Sequence, residues 1–545
     1  MALLVAVNAK YIHTNLAVRY LRNLCDLPMR EYSINDRTET VAADIYRSGE
    51  KLILFSCYIW NIRMVLDICS RLKKADPSIR LVLGGPEVSY NSYEILEKES
   101  AVDFVISHEG EKSLPQFLKA FASGNFDEAG ALTYRKDGQI CQNTSMDDVD
   151  INEIPFPYLD GELEELKGRL IYYETSRGCP YNCGFCLSSA TRGVRFLPVE
   201  RVKRELMYFI DANVPLVKLV DRTFNADNKR ALEIVNFIKE NSKNTCFHFE
   251  VKAETMSDEL IDALSTAKKG MFQLEIGVQS TNPDTLSKIK RGADFNKITD
   301  VVKRLKKNNN IHLHLDLIAG LPGENFKQFK KSFNDVFSLR PHDLQLGFLK
   351  KLKGAKLDTV GGEFTDEPPY EVIKSDAMSY EEILLLKDIE DVLEKYYNSG
   401  DFTNSVRYMI EELTPDSPFD FFADLADYFR KNDLSGRSHS KKGLYEILND
   451  YAYEKGIGEK TQQEIIFDYC LRYRDNLNFM NDAGLKEKAF EFLKNEQHVK
   501  KYFPEIADEK PVKLYKILRF YEIDGQIFAF DSEKQIVCNI TADFT

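Results

Sequence analysis

The sequence predicts an α/β protein in three parts: an N-terminal doubly wound parallel sheet, a central partial barrel of β/α units, and a mainly helical C-terminal region ending in a β-hairpin. Three observations predict it. Short apolar runs alternate with helical stretches through the first third, the signature of a parallel sheet covered on both faces. From residue 170 a second series of such units follows, with polar residues at the strand ends. Beyond Asp366-Glu-Pro-Pro-Tyr370 the spacing of apolar residues turns helical.

In the first part, residues 3–7, 52–58, 81–83 and 105–107 read as strands. Residues 16–24, 64–72 and a stretch from Leu114 read as helices. The opening apolar run lacks a basic leader or a cleavage site, so it reads as a buried strand and not a signal. Ligands on such sheets bind at the carboxyl ends of the strands. That rule singles out Asn8, Lys10, Ser56, Gly84, Gly85 and Gly110. No G-x-G-x-x-G follows the first strand, which disfavours a dinucleotide site, and Gly84-Gly85-Pro86 alone would be a tight turn. The acidic run at 147–150 and the prolines of Ile154-Pro-Phe-Pro-Tyr158 mark a stiff connection. The expected division is 1–140, a linker at 141–168, 169–365 and 366–545.

The central part reads as strands at 170–174, 216–220, 248–251, 272–278, 312–317 and 343–349, with helices at 199–213, 229–241, 258–267, 298–307 and 326–338. In the last part Ser379-Tyr-Glu-Glu382 fits a capping box ahead of Leu385, Leu386, Ile389, Leu393 and Tyr396, and Gly400 suits a stop. Phe419, Phe421, Phe422, Tyr428 and Phe429 read as core, with a substrate lid as the alternative. Asp524-Gly525 marks the hairpin turn.

The chemistry lies in Cys179, Cys183 and Cys186, spaced C-x3-C-x2-C. Three thiolates hold three irons of a [4Fe–4S] cube and leave the fourth iron open to a ligand. Structural zinc takes four ligands, and the next Cys and His are distant, at Cys246 and His248. A disulfide would leave an odd thiol and suits a secreted chain. Ten cysteines without secretory context fit a reducing, cytoplasmic setting, and an oxygen-labile cluster favours anoxic conditions. No 18-residue apolar run exists, so no membrane span is expected. A net charge of −13 argues against a nucleic-acid partner. Lys350, Lys351, Lys353 and Lys356 read as a solvated face.

With Phe185 before its last cysteine, this loop resembles that of the radical S-adenosylmethionine (radical SAM) superfamily. The resemblance implies a (β/α)6 TIM-like barrel, SAM chelated at the open iron, and reductive cleavage to a 5′-deoxyadenosyl radical. Glu275-x-Gly277-x-Gln279-Ser280 resembles the fourth-strand motif, residues 316–323 the segment near the adenine, and residues 221–225 the second strand end. It therefore implies SAM contacts from Phe185, Asp221, Arg222, Asn225, Glu254, Glu275, Gln279 and Gly320, although each polar strand end could instead cap the next helix. Arg177 could pair with a carboxylate of SAM or of a neighbour. His312 and His314 share one face and read as core or substrate contacts over metal ligands.

An upstream sheet bearing Ser56, Gly84-Gly85-Pro86-Glu87 and Glu109-Gly110-Glu111 resembles the Rossmann-like domain of cobalamin-dependent radical SAM enzymes. It implies cobalamin contacts from Asn8, Lys10, Ser56, Gly84, Gly85, Glu109 and Gly110. Where many such domains carry D-x-H-x-x-G, this chain has Asn8-Ala9-Lys10, so the implied cobalamin is base-off, without a histidine lower ligand; His13 reads as local packing. The implied activity is methyl transfer from methylcobalamin to an unactivated carbon of an unidentified substrate, with an electron donor such as flavodoxin or ferredoxin. Rivals are a rearrangement without methylation, an RNA-modifying enzyme, and an iron–sulfur or B12 sensor. Cys25, Cys57 and Cys69 are too spread for the extra cluster of methylthiotransferases.

Overall fold

The computed structural model describes residues 2–144, 148–191, 193–357, 361–480 and 484–544; Asp147 of the acidic run lies outside the described residues. The chain divides into two compact units, one of residues 1–332 with 346–379, the other of 333–345 with 380–545.

The first unit opens with a seven-stranded sheet of order β2-β1-β3-β4-β5-β6-β7. Its strands are β1 (Ala2–Asn8), β2 (Met29–Ser33), β3 (Leu52–Ser56), β4 (Arg80–Gly84), β5 (Phe104–Ile106), β6 (Leu132–Lys136) and β7 (Gln139–Gln142). The first five are parallel. The last two extend the sheet antiparallel. The turn between them, Asp137-Gly138, has positive φ at both residues, 50° and 79°. Sequence reading passed over β2 because Met-Arg-Glu-Tyr-Ser is half exposed and shows no apolar run.

Every residue of β1 is buried, and its side chains alternate between two cores. Leu3, Val5 and Val7 pack with Val41, Ile45, Val65 and Ile68 of helices α2 (Thr38–Arg47) and α3 (Ile62–Ala75), numbered after α1 (Leu16–Cys25). Leu4 and Ala6 pack on the other face with Val18 of α1 and with Leu114 and Phe117, which lie in the helix Gly110–Ser123. Burial of each such Val or Leu contributes about 1.5–3 kcal/mol. The continuous apolar run needed to cover both faces is what made β1 readable from sequence.

A six-stranded sheet follows in consecutive order. It comprises β8 (Ile171–Tyr173), β11 (Leu216–Leu219), β12 (Cys246–Val251), β13 (Phe272–Gln279), β14 (His312–Ala319) and β15 (Asp343–Phe348), with β8 and β15 at its edges. Between β8 and β11 a small hairpin pairs β9 (Ser176–Cys179) with β10 (Gly193–Phe196). Along β13 and β14 fully buried and half-buried residues alternate. Leu274, Ile276 and Val278 face the helices; Gln273, Glu275, Gly277 and Gln279 face the other way, into the barrel. In register across the strands, Glu250 lies beside Glu275, and Glu275 beside His314. The expected strands match within about two residues because each carries a β-branched or aromatic run bounded by turn residues.

The second unit is mainly helical. Helices Tyr380–Leu393, Thr403–Leu413, Pro418–Lys431, Lys441–Glu454 and Gly458–Cys470 surround a core that contains Phe419, Phe421, Phe422 and Phe429, each no more than 1% exposed. Tyr396 lies 5.9 Å from Phe429 and 4.8 Å from Phe402 between ring centroids, so this aromatic group is packing and not a lid. The terminal hairpin belongs to a three-stranded antiparallel sheet, Leu518–Ile523, Gln526–Asp531 and Ile536–Asn539. Asp524 and Gly525 turn the first two strands with φ of 49° and 70°. Among the described residues no helix is long and apolar enough to cross a membrane.

Candidate functional site

The three cysteines occupy a loop fixed by its backbone. Cys179 ends β9 opposite Gly193. The preceding Gly178 has φ of +100°, and a Cβ there would fall 2.3 Å from the Gly193 carbonyl oxygen, so the position requires glycine. The Gly184 N–H donates to the Ile289 carbonyl at 2.9 Å, and the Cys186 N–H to the Cys183 carbonyl at 3.2 Å. Cys179 Sγ lies 3.6 Å from Thr223 Oγ1, and Arg291 Nη1 donates to Cys183 Sγ at 3.8 Å. Burial pushes the Cys183 thiol up, and the Arg291 guanidinium opposes that. The Lys252 ammonium lies 4.4 Å from the centroid of the Tyr181 ring, adding positive charge nearby. All three thiols are free. Among the described residues no three His, Cys, Asp or Glu side chains converge on one metal ion. A cubane instead needs three thiolates around a volume, each on its own iron.

Two residues expected to contact SAM are occupied elsewhere. Asp221 is fully buried and accepts from Thr175 N–H at 3.0 Å, Thr175 Oγ1 at 2.6 Å and Ser176 Oγ at 2.5 Å. Burial raises this carboxyl, and the three bonds oppose the rise. Its work is to fix the segment leading into β9. Asn225 donates to the Lys252 carbonyl and accepts its N–H, both at 2.9 Å, so it ties the ends of β11 and β12 together. A polar residue at a strand end looks alike in sequence whether it points to a ligand or to backbone.

The remaining expected SAM residues are more open or lie at tight turns. Arg222 is exposed. Glu254 pairs with Lys252 at 2.8 Å. Glu275 meets Lys218 and His248, each at 3.1 Å. Burial would raise the Glu275 carboxyl, but the His248 bond and the Lys218 charge bring it down to about 2. Gln279 has φ of 71°, unusual for a residue with a side chain. Gly320 has φ of +81° and passes close to Val372. Phe185 is half buried in the cysteine loop. His314 lies 3.3 Å from Asp316.

A cavity of about 600 Å³ joins this loop to the N-terminal sheet. Its apolar end is lined by Leu4, Val18, Leu54, Val82, Ile106 and Leu114. Ser56, Gly84, Gly85 and Gly110, singled out by the strand-end rule, line the strand-end wall together with Glu109, and Arg177, Gly178, Leu187 and Arg222 lie on the cysteine-loop side. Gly85 has φ of +107°, and a Cβ there would fall 2.6 Å from the Cys57 carbonyl oxygen. The expected contacts at the end of the first strand, Asn8 and Lys10, are not on the wall. Asn8 donates to the His13 carbonyl at 3.0 Å and to Glu31 at 3.2 Å, and Lys10 is exposed. His13 Nδ1 lies 2.5 Å from Tyr172 OH, which is local packing as expected.

Of the two partners open to Arg177 in sequence, the structure gives it neighbouring carboxylates, in a half-buried ion network between the two walls whose members the sequence did not identify. Arg177 meets Glu111 at 2.8 Å, Glu174 at 2.9 Å and Glu109 at 3.3 Å. Arg195 meets Glu109 at 2.5 Å. Burial raises the Glu109 carboxyl, but Arg195 and Arg177 bring it below its ordinary value. Arg291 and His108 were missed as well. His108 follows a strand, where the same rule that chose Gly110 would have found it. Lys353, expected on a solvated face, pairs with the buried Glu87 at 2.8 Å. Cys57 and Cys69 are buried in the sheet core.

Residues 2–118 match the B12 binding domain, residues 173–336 the radical SAM superfamily, and residues 359–538 a family described as "Protein of unknown function (DUF4080)". The chain thus carries a region that matches the radical SAM superfamily behind an N-terminal region that matches the B12 binding domain. It is 28% identical over 330 residues to the cobalamin-dependent radical SAM methyltransferase TokK of Streptomyces tokunonensis, covering 56% of this chain and 48% of TokK. It is 25% identical over 326 residues to the 2-(S-pantetheinyl)-carbapenam-3-carboxylate methyltransferase of Streptantibioticus cattleyicolor, covering 56% and 47%. The chain thus spans about half the length of these curated relatives. The fold is shared with the cobalamin-dependent S-adenosylmethionine radical enzyme OxsB, solved with aqua-cobalamin bound: TM-score 0.59, 15% identity, 93% of this chain and 84% of that one.

Proposed function

We propose that this chain is a cobalamin-dependent radical SAM methyltransferase that methylates an unactivated carbon. Residues 1–140 would hold the corrinoid, 141–168 form the linker, 169–365 the radical SAM barrel and 366–545 a C-terminal domain. The observation that carries this reading is the single cavity with B12-domain strand ends on one wall and the cysteine loop on the other.

The residues present fit both groups. Three free thiols stand on one fixed loop, and a glycine-lined strand edge opens onto an apolar slot. When bound, the cluster with SAM supplies an organic radical, and the corrinoid supplies the methyl group. Cys179, Cys183 and Cys186 would ligate three irons. Arg291 and Lys252 favour the thiolate forms that bind iron. Asp221 and Asn225 hold the strand ends, leaving Phe185, Arg222, Glu254, Glu275, Gln279 and Gly320 as SAM contacts. Ser56, Gly84, Gly85, Glu109 and Gly110 would meet the corrinoid, bound base-off. Leu4, Leu54 and Val82 exclude water from that end of the cavity. A flavodoxin or ferredoxin would supply the electron, in the cytoplasm.

The test is anaerobic reconstitution with iron, sulfide and hydroxocobalamin, then incubation with SAM, reductant and candidate substrates. The reading predicts 5′-deoxyadenosine and a product heavier by one CH2. 5′-Deoxyadenosine without that mass gain would replace methylation with another radical reaction. Its absence would leave a non-catalytic module.

A further inference from the structure

His108 stands where β5 passes into Glu109-Gly110-Glu111. Its φ is +62°, a left-handed conformation that glycine adopts freely and a histidine only at a cost. Hydrogen bonds hold it there. Its N–H donates to Ser89 Oγ at 2.9 Å, and Ser89 Oγ donates to the Gly85 carbonyl at 2.7 Å. The backbone of His108 is therefore tied to the glycine turn after β4.

The side chain is exposed and lines the cavity, edge-on to Tyr90 with ring centroids 5.7 Å apart. Among the described residues it is the one histidine on the cavity wall, and neither of its ring nitrogens hydrogen-bonds within the protein. The neighbouring polar groups are engaged. Glu109 is held by Arg195 and Arg177, and Ser89 by Gly85. The loop after β1 sends no side chain to this wall, since Asn8 and His13 bond elsewhere. Strain held at a cavity wall, with an unbonded polar ring at its tip, points to a contact with what the cavity holds.

Resting on the reading of this cavity as a corrinoid site, we propose that His108 contacts the corrinoid, its imidazole hydrogen-bonding one of the amide side chains on the rim of the macrocycle. The last parallel strand then adds its own polar contact to this wall, where the end of the first strand sends none. An amide both donates and accepts, so either imidazole tautomer can serve.

The test compares the full-length wild type, H108G and H108Q as apoproteins, measuring hydroxocobalamin binding by equilibrium dialysis and melting by calorimetry. Glycine relieves the backbone strain, so H108G should melt at or above the wild-type temperature while its Kd for hydroxocobalamin rises about tenfold, the equivalent of one hydrogen bond. H108Q, which keeps an amide, should bind between the two. Unchanged affinity in H108G would overturn the proposal, as would a loss of affinity accompanied by a lower melting temperature. If the wild type itself takes up no hydroxocobalamin, the corrinoid reading of the cavity falls, and this proposal with it.

Discussion

Glu324 offers a sharp test of how the barrel stores charge. It is fully buried in the turn after β14. Its Oε1 accepts from Ser280 Oγ at 2.5 Å and from Ser332 Oγ at 2.9 Å, while among the described residues Oε2 has no hydrogen-bond partner. Burial raises the carboxyl from 4.5 to about 7, against the pull of the two serine bonds. The folded state therefore holds this proton more tightly than the unfolded chain does. Its stabilising contribution is complete below about pH 4.5 and is lost as pH rises through about 7. At about 1.4 kcal/mol per pH unit, that rise amounts to about 3 kcal/mol. In E324Q the Oε1 acceptor is kept and there is no proton to lose. Urea midpoints of both apoproteins measured from pH 4.5 to pH 9 should diverge, with the variant gaining about 3 kcal/mol on the wild type toward alkaline pH. Parallel curves would refute the reasoning.

Three further perturbations probe the cysteine loop. R177M strands the carboxylates of Glu174 and Glu111 in a buried site and should cost about 3–5 kcal/mol, read as a lower melting temperature; adding E111Q and E174Q should restore part of it. G178A forces a Cβ into the Gly193 carbonyl and should cost at least about 1–3 kcal/mol and lower the iron bound after reconstitution, whereas G124A, with open space around it, should keep wild-type iron content. D221N puts an amide N–H2 against the donors Thr175 and Ser176; iron content should fall, and the SAM affinity of the fraction that retains iron should stay at wild-type strength, because Asp221 acts through the loop.

Much of the architecture was legible because burial on both faces leaves apolar runs that no solvent-exposed segment needs. β1, β3 and β4 are of this kind. β2 and β7 were not legible, since an edge position lets their side chains meet water, and β6, paired on both sides, offers only the short buried run Leu132-Thr133-Tyr134 before two exposed residues. The cysteine loop was legible because three thiols within eight residues have few other uses. Gly84, Gly85 and Gly110 were found by the rule that ligands meet the carboxyl ends of parallel strands, and all three line the cavity. Asp221, Asn225 and Asn8 satisfied the same rule and bond to the protein instead. Strand position fixes where a side chain starts; three-dimensional neighbours decide where its hydrogen bonds go. Arg177 and its carboxylates show this most plainly, since Glu109 and Glu111 are more than 60 residues away in sequence and paired only by the fold.

The central claim is that two cofactors face each other across one cavity of about 600 Å³. Electron paramagnetic resonance of the cob(II)alamin-loaded, reconstituted protein tests it most directly. The cobalt signal is recorded first with the cluster oxidised and diamagnetic, then with it reduced and paramagnetic. Two spins sharing this cavity predict a cobalt signal that broadens and relaxes faster when the cluster is reduced. An unchanged cobalt signal, with both cofactors bound and the cluster fully reduced, would contradict the account.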